Sequence, residues 1–382
     1  MQTISNIQFK KLTDLTDLRG KKVLLRLDLN VPVVDGDVRD DFRIKRSIPT
    51  LEFLHNAGAK TIVISHIESP ETKSLDGIVS YIGKIIPVKA MIKSFDDAPS
   101  VINNMNDGEI VMFENLRLDP WEKANDPVFA AKLAHFADLY VNDAFAVSHR
   151  EHASIVSVPR LIPSYAGPLL TEEIEELSKA FNPEKPFVFI LGGAKFDTKL
   201  PLIEKFLDIA DKVFVGGALA HDVFKEKGYE IGKSLISKNP VNLKHIEINS
   251  KLMLPLDVVA VGPISKSMKD ADKVNSDDII FDAGSRTISS LSDAMAGSAF
   301  VLWNGPLGDY EKGYVEGTEN LARAIVESGA RSVVGGGDTI AVLANMNILD
   351  KFSFVSTGGG AMLEFLAKGT LPGIDALIAN TQ

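Results

Sequence analysis

FVFILGGAK, residues 187–195, is a continuous apolar run followed by two glycines and a lysine. A strand with one wet face alternates apolar and polar residues; this run does not, so it reads as a strand buried on both faces. The glycines fall where such a strand would end. The arrangement recurs along the chain. KKVLLRL, KTIVIS, EIVMF and DLYV precede residue 145, and KVFV, DVVAV, AFVLW, RSVV and FSFV follow it. Amphipathic segments lie between. One spans Arg43 to Asn56, with Ile44, Ile48, Leu51 and Leu54 on one face and Gly58 as a stop signal. Another opens with Asp126 and Pro127, an N-cap and a first-turn proline, and continues through Phe129, Leu133 and Phe136. Strand–helix alternation implies right-handed crossovers and parallel sheets covered by helices, so the expected class is α/β.

A chain of 382 residues exceeds one ordinary core, which points to two domains. The break is expected at SVPRLIPSYAGP (157–168), with its three prolines, before TEEIEELSKAF, which reads as a connecting helix. The strands then divide into a group of four or five and a group of about six. A net charge of -10 excludes a general nucleic-acid binder and requires any anion site to gather positive charge locally. The absence of cysteine excludes disulfides, thiolate nucleophiles and cysteine-held metals. No uncharged apolar run approaches the ~20 residues that span a bilayer, and the N-terminus lacks a signal-peptide core. A cytoplasmic protein without membrane association is the expectation.

The chemistry gathers after the strands. RLDLN, SH, ENLR and NDAF end the early runs; GGAK, GGA, WNGP, GGGD and STGGG end the later ones. Doubly wound sheets bind ligands beyond the carboxyl ends of their strands. The first half places Asp28, Asn30, Arg43, His66, Arg117, His149, Arg150 and His152 there. Arginine forks match carboxylate and phosphate oxygens, so this set reads as a small polyanion site. HREH (149–152) fits no zinc-hydrolase signature. In the second half, Gly192, Gly193, Gly216, Gly217, Gly335, Gly336 and Gly337 let backbone amides approach phosphates, several of them at helix starts. Lys195 and Lys199 would share a helix face. Asp338 suits either Mg²⁺ or the N-cap of the next helix. Neither a P-loop nor a G-x-G-x-x-G fingerprint occurs, which excludes Walker-type NTPases and weakens a dehydrogenase reading.

RLDLNVP, DFRIK, FENLR, VNDAFAVSHREHAS, LGGAK, WNGPLG, GGGDT and STGGGAMLE, spread from residue 26 to 364, resemble the signature segments of the phosphoglycerate kinase family in order and spacing. The resemblance implies two Rossmann-like domains with parallel sheets, joined by a helix, with a cleft between them. Residues 1–165 would bind 3-phosphoglycerate, 166–368 would bind nucleotide, and 369–382 would pack back on the first domain. The implied reaction is reversible phosphoryl transfer between 1,3-bisphosphoglycerate and ADP, giving ATP in glycolysis. By position, Asp28 and Asn30 would hold the substrate's hydroxyl and carboxyl end, and Arg43 would sit at the reacting group. His66, Arg117 and Arg150 would clamp the distal phosphate. Lys195 would meet the transferring phosphoryl and Lys199 the nucleotide phosphates. Gly193, Gly217, Asn304, Gly336, Gly337 and Thr339 would line the nucleotide site, Glu311 would bind the ribose, and Asp338 would hold Mg²⁺. Amides at Gly358, Gly359 and Gly360 would steady the transition state. A monomer with small-molecule partners only, closing about the 157–181 region, completes the expectation.

Departures from the family pattern fall in several loops. SHIESP stands where SHLGRP is usual, so Glu68 replaces a glycine and Ser69 an arginine. Ala146 and Val147 replace Gly-Thr, Glu151 flanks Arg150, Ala218 replaces a glycine, His221 an asparagine, and Ser285 falls at a frequent Gly-Pro. Loss of an arginine beside a gained carboxylate predicts weaker 3-phosphoglycerate binding than the full clamp gives.

Overall fold

The computed structural model describes residues 8–69, 71–194, 196–237 and 243–380. The chain forms two compact units: residues up to Glu175 together with those from Lys368 onward, and Glu176–Ala367.

The first unit is built on β1 (Lys22–Leu27), β4 (Lys60–Ile64), β5 (Ala90–Ile92), β6 (Ile110–Phe113), β7 (Leu139–Asp143) and β8 (Ser164–Ala166). They form one parallel sheet in the order β5-β6-β4-β1-β7-β8. A small hairpin, β2 (Val33–Val34) with β3 (Asp37–Val38), follows the first strand. The sheet holds six strands where four or five were expected. The additional pair, β5 and β8, are edge strands of three residues each, too short to carry a periodic signal. The helix Phe42–Asn56 buries Ile44, Ile48, Leu51 and Leu54 as its spacing requires. Gly58, at φ +75°, ends that segment in a conformation that favours glycine. Truncating Leu51 to alanine would cost about 2–5 kcal/mol through lost burial and the cavity left behind. Asp126 caps the helix Pro127–Ala134, its side chain accepting from Phe129 N at 2.8 Å.

The second unit contains β9 (Phe187–Leu191), β10 (Lys212–Val215), β11 (Leu252–Met253), β15 (Phe300–Asn304), β16 (Arg331–Gly335) and β17 (Phe354–Val355). This sheet too is parallel, in the order β11-β10-β9-β15-β16-β17. DVVAV, expected with these strands, lies elsewhere. As β12 (Asp257–Val261) it is the middle strand of an antiparallel sheet between β13 (Lys266–Asp270) and β14 (Ile279–Ala283). A short apolar run looks the same in either setting; the sign was the neighbouring KSMKD, which alternates exposed and half-buried residues.

The C-terminal helix Pro372–Ala379 returns to the first unit. Gly373 N donates to Ser148 O at 2.8 Å, and a Cβ on Gly373 would come within 2.9 Å of Ile155 and 3.0 Å of Ser148. Glycine there lets the helix brace the loop that carries Arg150.

Candidate active site

In the first unit the polar residues after β1, β4, β6 and β7 meet through a buried network. Its centre is Arg26, wholly buried in β1. Its Nε donates to Ser154 Oγ at 2.9 Å, one terminal nitrogen donates to Leu27 O, and the other lies 3.1 Å from His66 Nδ1. Guanidinium nitrogens only donate, so Nδ1 of His66 must accept and its proton sits on Nε2. Burial, then the charges of Arg26, Arg117 and Arg43, push the His66 pKa well below its ordinary value. His66 is thus a neutral donor at physiological pH. Glu122, also buried, accepts from Ser154 N at 2.9 Å and Ser154 Oγ at 2.5 Å and supplies a counter-charge within this network.

Asp28 and Arg43 form the next layer. Asp28 Oδ1 accepts from Asn30 N at 3.1 Å, and Oδ2 lies 3.3 Å from the Arg43 guanidinium. Arg43, in the first turn of its helix, also donates to Asn30 O at 2.9 Å. Asn30 Oδ1 accepts from Glu68 N at 2.8 Å, so Nδ2 remains the donor side of this amide. Arg117 sits in a short turn after β6. Asn115 fixes that turn by accepting from Arg117 N at 3.0 Å, and it pins the 67–73 loop by donating to Ile67 O and Lys73 O. Beside them opens a cavity of about 470 Å³, lined by Ile67, Glu68, Ser69, Lys73, Asn115, Arg117, Leu118 and Lys123.

Asp28, Asn30, Arg43 and His66 are therefore joined by contacts of 3.9 Å or less, and Arg117 reaches this set through Glu68, whose N–H donates to Asn30. Arg150 is exposed, and its charge is among those that depress the pKa values of Arg117 and His152. His152 is pushed down to about 4, first by burial and then by Arg117, Arg26 and Arg150. His152 is neutral and half-buried, with the charges of Arg117, Arg26 and Arg150 acting on it. Among the described residues no group of three His, Cys, Asp or Glu side chains could hold a metal. Sequence reasoning passed over Arg26, Glu122, Ser154, Asn115 and Lys123. One signal was present: an arginine inside the otherwise apolar run KVLLRL.

The second unit offers backbone where the first offers side chains. Its glycines divide into two kinds. Gly192 is closed in, since a Cβ would lie 2.3 Å from Pro306 O and 2.5 Å from Gly305 O. Gly192 N donates to Asn304 O and Gly193 N to Pro306 O, so this turn packs backbone to backbone. Gly216 is filled by Phe214 and Leu307, and Gly335 by Met362. Gly337 is open. Nothing lies within 4 Å of a Cβ built there, and it begins the helix Gly337–Asn345. Gly359, at the start of the helix Gly359–Lys368, has no neighbour closer than 3.6 Å; Gly360 follows in that helix. Open amides at helix starts are anion donors.

A cavity of about 520 Å³ adjoins these turns. Gly193, Gly217, Glu311 and Asp338 line it, and Phe224, Leu235, Val258 and Ile280 supply an apolar wall. The small antiparallel sheet thus builds one side of the pocket. His221, buried and bonded through Nδ1 to Leu235 O at 2.8 Å, is depressed by burial and neutral. Lys199 Nζ donates to Gly192 O at 3.0 Å. Asn304 ends β15 with Nδ2 3.3 Å from Met362 Sδ, and Thr339 Oγ1 is buried without a partner. Asn304, Lys199, Gly336, Gly337, Thr339, Gly359 and Gly360 are not among the lining of this cavity. Lys195 lies outside the described residues.

The profile of the family described as phosphoglycerate kinase matches residues 12–369. A phosphoglycerate kinase of Dictyoglomus turgidum is 40% identical over 390 aligned residues, covering 96% of this chain and 98% of the relative. One from Pelotomaculum thermopropionicum is 38% identical, covering 97% and 99%. The solved phosphoglycerate kinase of Coxiella burnetii superposes with a TM-score of 0.83 at 36% identity, covering 97% of this chain and 99% of that one. That of Pyrococcus horikoshii gives 0.86 at 30% identity, with the same coverage.

Proposed function

The chain belongs to the phosphoglycerate kinase family, and from that premise we propose how its two units share the reaction. The reaction class is phosphoryl transfer with a carboxyl acceptor, between 1,3-bisphosphoglycerate and ADP. The first unit takes 3-phosphoglycerate: Asp28 and Asn30 at the hydroxyl and carboxyl end, Arg43 at the reacting group, His66, Arg117 and Arg150 at the distal phosphate. The second takes ADP or ATP through Gly193, Lys199, Gly217, Asn304, Gly336, Gly337 and Thr339, with Glu311 at the ribose. The observation carrying this assignment is the joined set Asp28–Asn30–Arg43–His66, with the charges of Arg26 and Arg117 acting on His66, a local gathering of positive charge in a protein of net charge -10.

A carboxylate acceptor is ionised at neutral pH, so no general base is needed. What remains is in-line positioning and neutralisation of the equatorial oxygens. Arg43, fixed by Asp28 and by Asn30 O, is held for that role at the acceptor end. Lys195 and the amides at Gly359 and Gly360 serve the transferring group. Asp338 stands in the first turn of its helix and lines the nucleotide cavity; no group of three metal-ligating side chains occurs among the described residues, and a single carboxylate fits Mg²⁺, which keeps most of its sites for phosphate and water. Bound there, Mg²⁺ supplies charge neutralisation at the phosphates.

Direct transfer requires the two ligands to meet away from water, so closure about the 157–181 region is part of the proposal. Equal scattering radii with and without both substrates would count against it. A cytoplasmic monomer is the accompanying assignment; no described helix is long and apolar enough to cross a membrane. The test of function is a coupled assay for ATP-dependent 1,3-bisphosphoglycerate formation, with Lys195→Ala as control. Turnover requiring 3-phosphoglycerate, and nearly lost in the variant, is the expected result; turnover indifferent to 3-phosphoglycerate would contradict it.

A further inference from the structure

The cavity beside Arg117 already holds an anion of the chain's own. The Arg117 side chain is only 5% exposed, and its Nε is buried without a hydrogen-bond partner. A guanidinium withdrawn from water needs a counter-charge. Among the residues lining the cavity, Arg117, Lys123 and Lys73 are cationic and Glu68 alone is acidic. Glu68 pairs with both Arg117 and Lys123. Lys123 above all, with Arg117 adding to it, holds the Glu68 carboxyl below its ordinary range despite partial burial, so it is ionised. The backbone of the loop is fixed, with Glu68 N bonded to Asn30 Oδ1 and Ile67 bonded in both directions to Asn115. The Glu68 side chain, by contrast, is 46% exposed, so rotation alone carries its carboxylate into solvent. Ser69 brings no charge, and its Oγ accepts from Glu71 N at 3.1 Å.

We propose that Glu68 is an internal counter-anion: it fills the Arg117–Lys123 clamp in the free enzyme and cedes it to the distal phosphate of 3-phosphoglycerate. Lys123 is then the second cation of that clamp, where the family pattern has an arginine at position 69. The proposal rests on reading the first unit as the 3-phosphoglycerate site. Charge favours the exchange, because a phosphate monoester carries about -1.5 to -2 at neutral pH and offers three acceptor oxygens against two. Displacing Glu68 consumes part of the binding energy, so this residue sets affinity without touching the reacting carboxylate.

Steady-state kinetics on Glu68→Gln, on Glu68→Gln/Lys123→Met and on the wild type test this, with 3-phosphoglycerate varied and inorganic phosphate as competitor. Glu68→Gln should lower the KM for 3-phosphoglycerate and the inhibition constant of phosphate by about three- to fivefold, the effect falling on KM rather than kcat. A gain in affinity cannot come from a damaged fold. Adding Lys123→Met should raise KM again by about threefold or more. A KM unchanged or raised in Glu68→Gln overturns the proposal, as does indifference to Lys123→Met in that background. Arg150→Met in the wild type separates the two ideas. If it leaves KM unmoved, the functional reading of the first unit fails whatever Glu68 does.

Discussion

In the proposed assignment the two units bind anions by opposite means. The first concentrates side-chain charge: Arg26, Arg43 and Arg117 around a neutral His66, with Asp28 and Glu122 as internal counter-charges. The second presents open amides at the starts of the helices Gly337–Asn345 and Gly359–Lys368. A site made of side chains is open to rewriting by one substitution, as proposed for Glu68, which lines the Arg117 cavity. A site made of backbone changes only when a Cβ intrudes, so Ala218 and His221 alter its wall and leave those amides in place.

Substitutions can break this contrast, and the largest effect is expected at the acceptor. Arg43→Met should lower kcat by about 100- to 1000-fold, because charge on the equatorial oxygens goes uncompensated; rapid-quench measurement of the transfer step checks it. Gly337→Ala comes next. Beyond its chain neighbours and its own helix backbone, nothing lies within 4 Å of the added methyl, and the backbone there is not left-handed. Stability should hold or rise by up to about 1 kcal/mol while KM for ADP rises about tenfold. Equal loss of stability and affinity would mean that this glycine is structural, as Gly192 is. Ser69→Arg should lower the KM for 3-phosphoglycerate by about threefold, whereas Ala218→Gly should move the KM for ADP by less than about twofold. An unchanged KM in Ser69→Arg removes the claim that the clamp is incomplete.

The smallest effect on turnover concerns a residue where the units behave alike. Burial pushes Asp143 in the first unit and Asp282 in the second up to about 6. Asp143 accepts from Thr50 Oγ1 at 2.5 Å and Leu170 N at 3.0 Å. A carboxyl whose folded pKa exceeds its unfolded value of about 3.9 binds its proton in the folded state first. Its contribution is full below about pH 4 and fades as pH rises through about 6. The Tm of the wild type relative to Asp143→Asn should therefore improve as pH falls from about 7 to 4.5; an unchanged difference would contradict the shift.

Much of this was legible in the chain. Apolar runs marked the interior strands, and the residues after them marked Asp28, His66, Arg117 and Gly193, because in a parallel sheet loops at the carboxyl ends share one edge. Three things were not legible. Edge strands of two or three residues carry no period, which hid β5, β8 and β11. DVVAV has the composition of a buried parallel strand, and only its antiparallel neighbours decide otherwise. Lys123 is distant in sequence from Glu68, and their pairing depends on a turn after β6 that Asn115 fixes through contacts no local pattern encodes. The glycines were legible as a group but not one by one: Gly192 and Gly335 are filled by neighbours, and Gly337 is open.

The division of labour is tested most directly by calorimetric titration of 3-phosphoglycerate and of MgADP, each alone, into Arg150→Met and Gly337→Ala. The account predicts that Arg150→Met weakens 3-phosphoglycerate binding and leaves MgADP unaffected, and that Gly337→Ala does the reverse. Variants that weaken both ligands together, or each the other's ligand, would contradict it.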